Sequence, residues 1–226
     1  MNCLCCHEEI IIEMDWANFL FPPKPSLICD ICKRQMTLLG GNRCLRCSRV
    51  TEAKICDDCL RWETYYGGHD VLEFNYSVYT YSTFMQVIIA KWKYRGDYEL
   101  GTIFEDSYST YFHKAFASIK DAVIIPIPLS MERLQERCFN QAEMLASFLT
   151  PKKMNILSRT HGEKQSKKSR KERIYSENPF ILQQKLNNPI ILVDDIYTTG
   201  TTLRHAAKLL KDAGCPEVYS YTLIRG

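Results

Sequence analysis

No apolar run in this 226-residue chain approaches the roughly 18 residues that a membrane-spanning helix requires. The opening stretch, Met1-Asn2-Cys3-Leu4-Cys5-Cys6-His7-Glu8-Glu9, has neither the basic start nor the apolar centre of a secretory signal. These absences predict a cytoplasmic protein with no membrane insertion, whose thiols stay reduced. Cysteine is scarce over most of the chain: only two of the eleven, Cys138 and Cys215, lie beyond residue 60, and both read as buried thiols rather than nucleophiles. No internal repeat is evident beyond short cysteine pairs. With 46% hydrophobic and 24% charged residues, a chain of this length can bury a core without covalent staples.

The cysteines that are present crowd the N-terminus. Eight of the nine before residue 60 form four Cys-x-x-Cys pairs: Cys3/Cys6, Cys29/Cys32, Cys44/Cys47 and Cys56/Cys59. Two thiolates at that spacing share one tight knuckle and can reach the same tetrahedral Zn²⁺ at about 2.3 Å. A redox dithiol normally occurs once, so four copies point to one or two zinc ions. Spacing leaves the pairing open between a sequential and a cross-braced arrangement, and Cys5 is a spare thiol. Lys33, Arg34, Arg43, Arg46 and Arg49 either offset the negative charge of a metal–thiolate centre or contact DNA.

Residues 1–62 have few periodic apolar runs and many turn formers, so metal binding must drive much of their folding. Tyr65 to Asp70 reads as a hinge to a second domain, residues 63–226. There, Asn75 to Tyr81 alternates as a strand, and Thr83 to Tyr94 reads as a helix presenting Phe84, Val87, Ile88 and Trp92 on one face. Ala122 to Pro126 is a strand, Ser130 to Leu149 a helix, Pro189 to Val193 a buried strand, Gly200 to Ala213 a helix closed by Gly214, and Glu217 to Ile224 a last strand. Apolar strands alternating with helices predict an α/β fold, a parallel sheet covered on both faces, beside a small zinc-ribbon-like module. Between Lys152 and Arg173 nine Lys or Arg stand against two Glu, a local +7 in a chain whose total is +3. That stretch reads as a solvated loop.

The most informative motif is Val193-Asp194-Asp195-Ile196-Tyr197-Thr198-Thr199-Gly200-Thr201-Thr202. A buried strand delivers it to the carboxyl edge of the sheet, where open α/β folds bind ligands. Thr198, Thr199, Thr201 and Thr202 offer hydroxyls and amides at a helix start, which suits a phosphate, and Gly200 allows a close backbone approach. Asp194 and Asp195 can accept from vicinal ribose hydroxyls or hold Mg²⁺. This loop closely resembles the signature of type I phosphoribosyltransferases, which use phosphoribosyl pyrophosphate (PRPP). The resemblance implies that the two acids grip the ribose and that the Thr/Gly turn cradles its 5-phosphate. It also implies a pyrophosphate loop at Ile125 to Ser130 with Arg133 and Arg137 behind it, and Mg²⁺ accompanying PRPP.

The order of cysteine knuckles, Lys93-Tyr94-Arg95-Gly96-Asp97, Arg137-Cys138-Phe139-Asn140-Gln141, Arg159 with Gln165, and the phosphosugar loop resembles the ComF family of competence-associated proteins over almost the whole chain. That family usually has Gly where this chain has Cys138. The resemblance implies a DNA-uptake accessory role in natural transformation, with single-stranded DNA and a helicase-like competence ATPase as partners. Lys91-Trp92-Lys93-Tyr94-Arg95 interleaves cations with aromatics as a single strand requires, although Trp92 also matches the apolar helix face. Lys167, Lys168, Arg170, Lys171 and Arg173 are a stronger electrostatic candidate for DNA or PRPP. The rival reading is a working phosphoribosyltransferase acting on a nucleobase or amine, for which no base-binding hood is recognisable.

Overall fold

The computed structural model describes residues 1–11, 26–94, 96–160 and 177–226. At its centre four strands run parallel: β1 (Asn75–Thr80), β2 (Val123–Pro126), β5 (Ile190–Tyr197) and β6 (Val218–Arg225), in the order β1-β6-β5-β2. β3 (Leu157–Arg159) and β4 (Phe180–Leu182) form a separate antiparallel pair. The helices are α1 (Asp30–Gln35), α2 (Asp57–Tyr65), α3 (Thr83–Tyr94), α4 (Glu105–Phe116), α5 (Met131–Arg137), α6 (Gln141–Ser147) and α7 (Thr201–Asp212), with a 3-10 turn at Tyr98–Phe104.

Side chains alternate across a strand, so an apolar strand feeds two cores. Ile124, Ile191, Val193, Tyr219 and Tyr221 pack with α3, α4 and α6 on one face. Val123, Ile125, Ile190, Leu192 and Val218 pack with α7 on the other. The parallel sheet covered on both faces is therefore as expected. The buried side of α3 is Met85, Ile88, Ile89 and Trp92, while Val87 is exposed, which turns the helix away from the expected face.

The expected helix from Ser130 to Leu149 is two helices. Ser130 caps α5, accepting from the Arg133 amide at 3.5 Å, and α5 ends where Cys138 adopts φ 66°. Asn140 then caps α6, its Oδ1 accepting from the Ala142 amide at 3.0 Å. Cys138 stands at the left-handed position that glycine favours, and the break places its thiol on the surface. The expectation of a buried thiol fails there, whereas Cys215 is buried with its Sγ donating to Leu186 O at 3.1 Å.

The cysteine-rich stretch holds an internal duplication that composition did not reveal. Around Cys3, the Cys3 amide donates to Glu8 O, the His7 amide to Cys3 O, and the Leu4 amide to Leu27 O. Around Cys44 the same three bonds recur, from Cys44 to Arg49 O, Ser48 to Cys44 O and Leu45 to Lys54 O. His7 and Ser48 both take positive φ, 64° and 60°. Cys29 and Cys56 both precede a helix in extended conformation, and each donates its amide to the first cysteine of its unit at 3.3 Å. Between the two units, Thr37 to Leu39 lies antiparallel along β1, the edge strand of the sheet. The first unit joins the α3 face and the second the α7 face.

Candidate functional site

The two duplicated units bring the cysteines together sequentially. Cys3, Cys6, Cys29 and Cys32 form one tetrad, and Cys44, Cys47, Cys56 and Cys59 the other, with the sulfurs of each tetrad within 4.8 Å of one another. Four sulfurs about 2.3 Å from a tetrahedral ion lie roughly 3.8 Å apart, so both sets fit one metal each. The amide-to-sulfur bonds at Cys3 and Cys44 are those that thiolate ligands accept, which supports the same conclusion. Cys5 stands outside both tetrads, buried, its thiol pushed up to about 12 by burial and by Cys3 and Cys6. Of the nearby basic residues, Arg49 pairs with Asp58 at 2.5 Å and Arg43 lies over the Tyr76 ring at 4.9 Å. Among the described residues, a guanidinium also meets a cysteine sulfur from the far end of the chain: Arg225 Nη2 donates to Cys47 Sγ at 3.7 Å.

Asp194 and Asp195 lie on β5 itself, which runs four residues beyond the expected end at Val193. The strand's alternation slips across them: Ile191 and Val193 face α3, yet so does Ile196, while Tyr197 faces α7. Asp195 forms an ion pair with Lys93 from the last turn of α3. Asp194 accepts the Asp195 amide at 2.9 Å, and its carboxyl is pushed up to about 7, first by burial and then by Asp195. Lys93 and Arg159 act in the opposite direction on it. Burial, with Arg133 nearby, lowers the Arg159 guanidinium, and Asp194 partly offsets this. Arg159, at the end of β3, therefore belongs to the same charged cluster.

Beyond the acids the chain turns through Thr198 and Thr199 into α7. Gly200 takes φ 76°, and a Cβ there would come within 2.2 Å of Arg204 Nη1 and 2.3 Å of the Tyr197 hydroxyl, so the position admits only glycine. The Thr199 and Thr201 hydroxyls share a hydrogen bond at 2.9 Å. Carbonyls on the turn's inner side are held from behind. Trp62 Nε1 donates to Thr199 O at 3.0 Å, and Arg225 Nη1 donates to Tyr197 O at 3.0 Å and Thr198 O at 3.1 Å. With those carbonyls engaged, Thr198 stays exposed, Thr199 and Thr202 are half-buried and Thr201 is buried.

Arg204 lies directly beneath this turn. Its side chain is 0% exposed and bonds both oxygens of Asp70, the shortest contact 2.6 Å. Nη1 reaches the Tyr197 hydroxyl at 2.6 Å, and the guanidinium lies over the Trp62 ring at 4.7 Å. Asp70, at the end of the expected hinge, is a buried ion partner.

The two arginines of α5 part ways. Arg133 is half-buried near Arg159. Arg137 is buried, donates to Gln141 Oε1 at 2.9 Å and lies over the Tyr94 ring at 5.3 Å. Asn140 Nδ2 donates to Ile127 O at 3.0 Å, fixing the loop after β2 that ends at Ser130. Lys91 donates to Cys5 O at 2.9 Å and Trp92 is fully buried, so neither offers a free surface for a nucleic-acid strand. Lys167, Lys168, Arg170, Lys171 and Arg173 lie outside the described residues.

Sequence reasoning missed Trp62, Asp70, Arg204 and Arg225 as supports of the loop. Only Arg204 left a trace, being a cation one turn into the apolar face of α7. Lys93 stands out in sequence through its aromatic neighbours and the Lys93-Tyr94-Arg95-Gly96-Asp97 motif, and its place opposite Asp195 depends on packing between α3 and β5.

Comparison with known proteins agrees with this architecture. The phosphoribosyl transferase domain family matches residues 136–226, which include the acid pair and the Thr/Gly turn. Competence protein ComFC of Bacillus subtilis (strain 168) is 39% identical over 99% of this chain and 94% of its own length. Competence protein ComFC of Streptococcus pneumoniae is 28% identical over 100% of both chains. Competence protein F of Haemophilus influenzae is 36% identical over 45% of this chain and 49% of its own. A solved hypoxanthine phosphoribosyltransferase from Staphylococcus aureus covers 55% of this chain and 64% of its own at 17% identity, with a TM-score of 0.34, too slight a likeness to carry an argument. Given near full-length identity to a competence protein and a C-terminal phosphoribosyl transferase domain, the chain belongs to the ComF family of competence-associated, phosphoribosyltransferase-like proteins.

Proposed function

We propose that this protein is a DNA-uptake accessory factor that binds single-stranded DNA and retains a working phosphosugar pocket for PRPP or a related pentose phosphate. The observation that carries the pocket is the rigid support of its loop. Asp194 and Asp195 end a central strand, and Gly200 cannot bear a side chain. Arg204, Arg225 and Trp62 hold the turn from behind. In this reading the acids grip the ribose hydroxyls and Thr198 to Thr202 hold the 5-phosphate. Arg133 and Arg159 supply positive charge for a second anionic group. Residues 1–62 form a zinc module whose two tetrads each hold one Zn²⁺, and residues 63–226 form the phosphosugar domain. The zinc would supply folding energy and no chemistry.

For DNA, support comes from the +7 stretch between Lys152 and Arg173, which lies in sequence just before the phosphosugar strand. Basic residues concentrated there suit phosphate neutralisation, and a helicase-like ATPase would hand over the strand. The rival is catalysis, in which Arg133 and Arg159 would stabilise charge on departing pyrophosphate. One purified sample separates the two. Fluorescent single-stranded DNA is titrated with and without PRPP while pyrophosphate release is followed with a panel of bases. Strand binding without turnover supports the accessory role. Turnover with one base and no strand affinity makes the protein a transferase. Asp194→Ala with Asp195→Ala should abolish PRPP binding in calorimetry; retained affinity would refute the pocket.

A further inference from the structure

We propose that the ammonium of Lys93 is a built-in counter-cation for the acid pair, so that the pocket takes a pentose 5-phosphate without Mg²⁺. This rests on the phosphosugar reading above and specifies its ligand chemistry. Mg²⁺ demands near-octahedral oxygen ligands and sheds its water reluctantly. At this site Oδ2 of Asp195 is already taken by Lys93, and the two side chains are only 12% and 13% exposed. The acid pair therefore does not fit the role of a Mg²⁺ ligand set.

The placement of Lys93 is fixed by its neighbours in sequence. Lys91 is tied to Cys5 O at 2.9 Å on the first cysteine unit, and Trp92 between them is 0% exposed. With Tyr94 lying under the Arg137 guanidinium at 5.3 Å, the last turn of α3 is anchored on both sides of the lysine backbone. A cation is also favoured at the C-terminal end of a helix. An ammonium carries three donors. One serves Asp195, leaving two for a ribose hydroxyl or a phosphate oxygen, a task a hydrated metal ion would otherwise perform. Arg159 lies on the Asp194 side, with Arg133 near it. Lys93 pairs with Asp195 and Arg159 acts on Asp194, so each acid has a cation of the chain's own and the pocket receives an anion with no imported charge.

Ribose 5-phosphate is the clean probe, because it lacks the pyrophosphate that draws Mg²⁺ into solution complexes with PRPP. Its affinity is measured by calorimetry in buffer dialysed free of Mg²⁺, without chelator so that thiolate-bound metal stays, and again with millimolar Mg²⁺. The natural chain should bind equally within about threefold. Lys93→Gln should lose about 10- to 100-fold without Mg²⁺, the scale of one charged hydrogen bond removed from a buried pair, and regain part of it when Mg²⁺ is added. Lys93→Arg keeps the charge and should retain Mg²⁺-independent binding. A natural chain that needs Mg²⁺, or a Lys93→Gln chain that binds normally without it, overturns the proposal. Should Lys93→Gln fail to fold, the natural chain and Lys93→Arg still decide. No binding of ribose 5-phosphate by the natural chain in either buffer overturns the phosphosugar reading itself, an outcome distinct from Mg²⁺-dependent binding.

Discussion

Replacing Asp70 by Asn tests whether the Thr/Gly turn stands on a buried ion pair. The substitution conserves shape and removes a single charge. It leaves the Arg204 guanidinium, 0% exposed, without its anion and turns an amide donor toward it where an oxygen accepted at 2.6 Å. Burial alone would lower Arg204; Tyr197 and Asp70 more than offset this, so the protein is arranged to keep it charged. Breaking one partner of a buried pair costs about 3–5 kcal/mol because the remaining charge stays uncompensated. For a chain of this size each kcal/mol moves the melting temperature by roughly 2–4 °C, so a fall of about 6–20 °C is expected. Because Arg204 Nη1 donates to the Tyr197 hydroxyl at 2.6 Å and lies against Gly200, a shift of the guanidinium should disturb the Thr/Gly turn. Affinity for ribose 5-phosphate should therefore fall along with stability.

Calorimetric melting and urea denaturation, followed by ligand titration well below the melting range, measure both effects. A double variant, Asp70→Asn with Arg204→Met, separates two explanations. If the cost comes from an orphaned charge, removing the arginine recovers much of the lost stability. If it comes from lost packing on Trp62, whose ring lies 4.7 Å from the guanidinium, the double variant is worse than the single. A loss below about 1 kcal/mol for Asp70→Asn would refute the reasoning, since that is the range of an exposed pair.

Three further outcomes are expected. Stripping metal from the second tetrad should raise amide hydrogen exchange through Thr198 to Thr201, because Cys47 and Trp62 reach that turn through Arg225 and directly; unchanged exchange after the metal leaves would break the link. Asp194, raised from 3.8 to about 7 by burial and by Asp195, keeps its proton in the folded chain after the unfolded chain has released it. Its contribution to stability is therefore present at low pH and lost as pH rises from about 4 to 7, and Asp194→Asn should flatten that decline in urea midpoints by an amount on the order of a few kcal/mol. Cys138→Gly should raise the melting temperature slightly, because a side chain at φ 66° costs roughly 1 kcal/mol and the thiol is exposed; a lower melting temperature would show that the thiol contributes packing.

The elements most legible in the sequence were those whose pattern is local. β2, β6, α3 and α7 fall within a residue or two of their expected bounds, since apolar runs and a terminal Gly214 mark them. The acid pair and Thr/Gly turn were legible because adjacent carboxylates, hydroxyls and a glycine have few other uses together. The break at Cys138 was hidden because cysteine does not announce a left-handed residue, so α5 and α6 read as one helix. The buried side of α3 was misjudged because Val87 suits a core as well as Met85 does, and only the neighbours decide. Long-range partners left no local mark: Asp70 and Arg204 are 134 positions apart, and Cys47 and Arg225 are 178 apart.

The duplicated cysteine unit explains more than the stability of the N-terminus. Its first copy packs on the α3 face, where Lys91 bonds Cys5 O two residues before Lys93 meets Asp195. Its second copy packs on the α7 face, where Cys47 holds Arg225 and Trp62 holds Thr199 O. One copy thus supports the cation that faces the acids, and the other supports the turn that would receive the phosphate. The strip from Thr37 to Leu39 that joins them lies along β1 and so fixes both copies to one edge of the sheet. A metal held at either tetrad would then be coupled to a different part of the site formed by the acid pair and the Thr/Gly turn. Loss of the first should weaken contacts at Asp195, and loss of the second contacts at the phosphate turn.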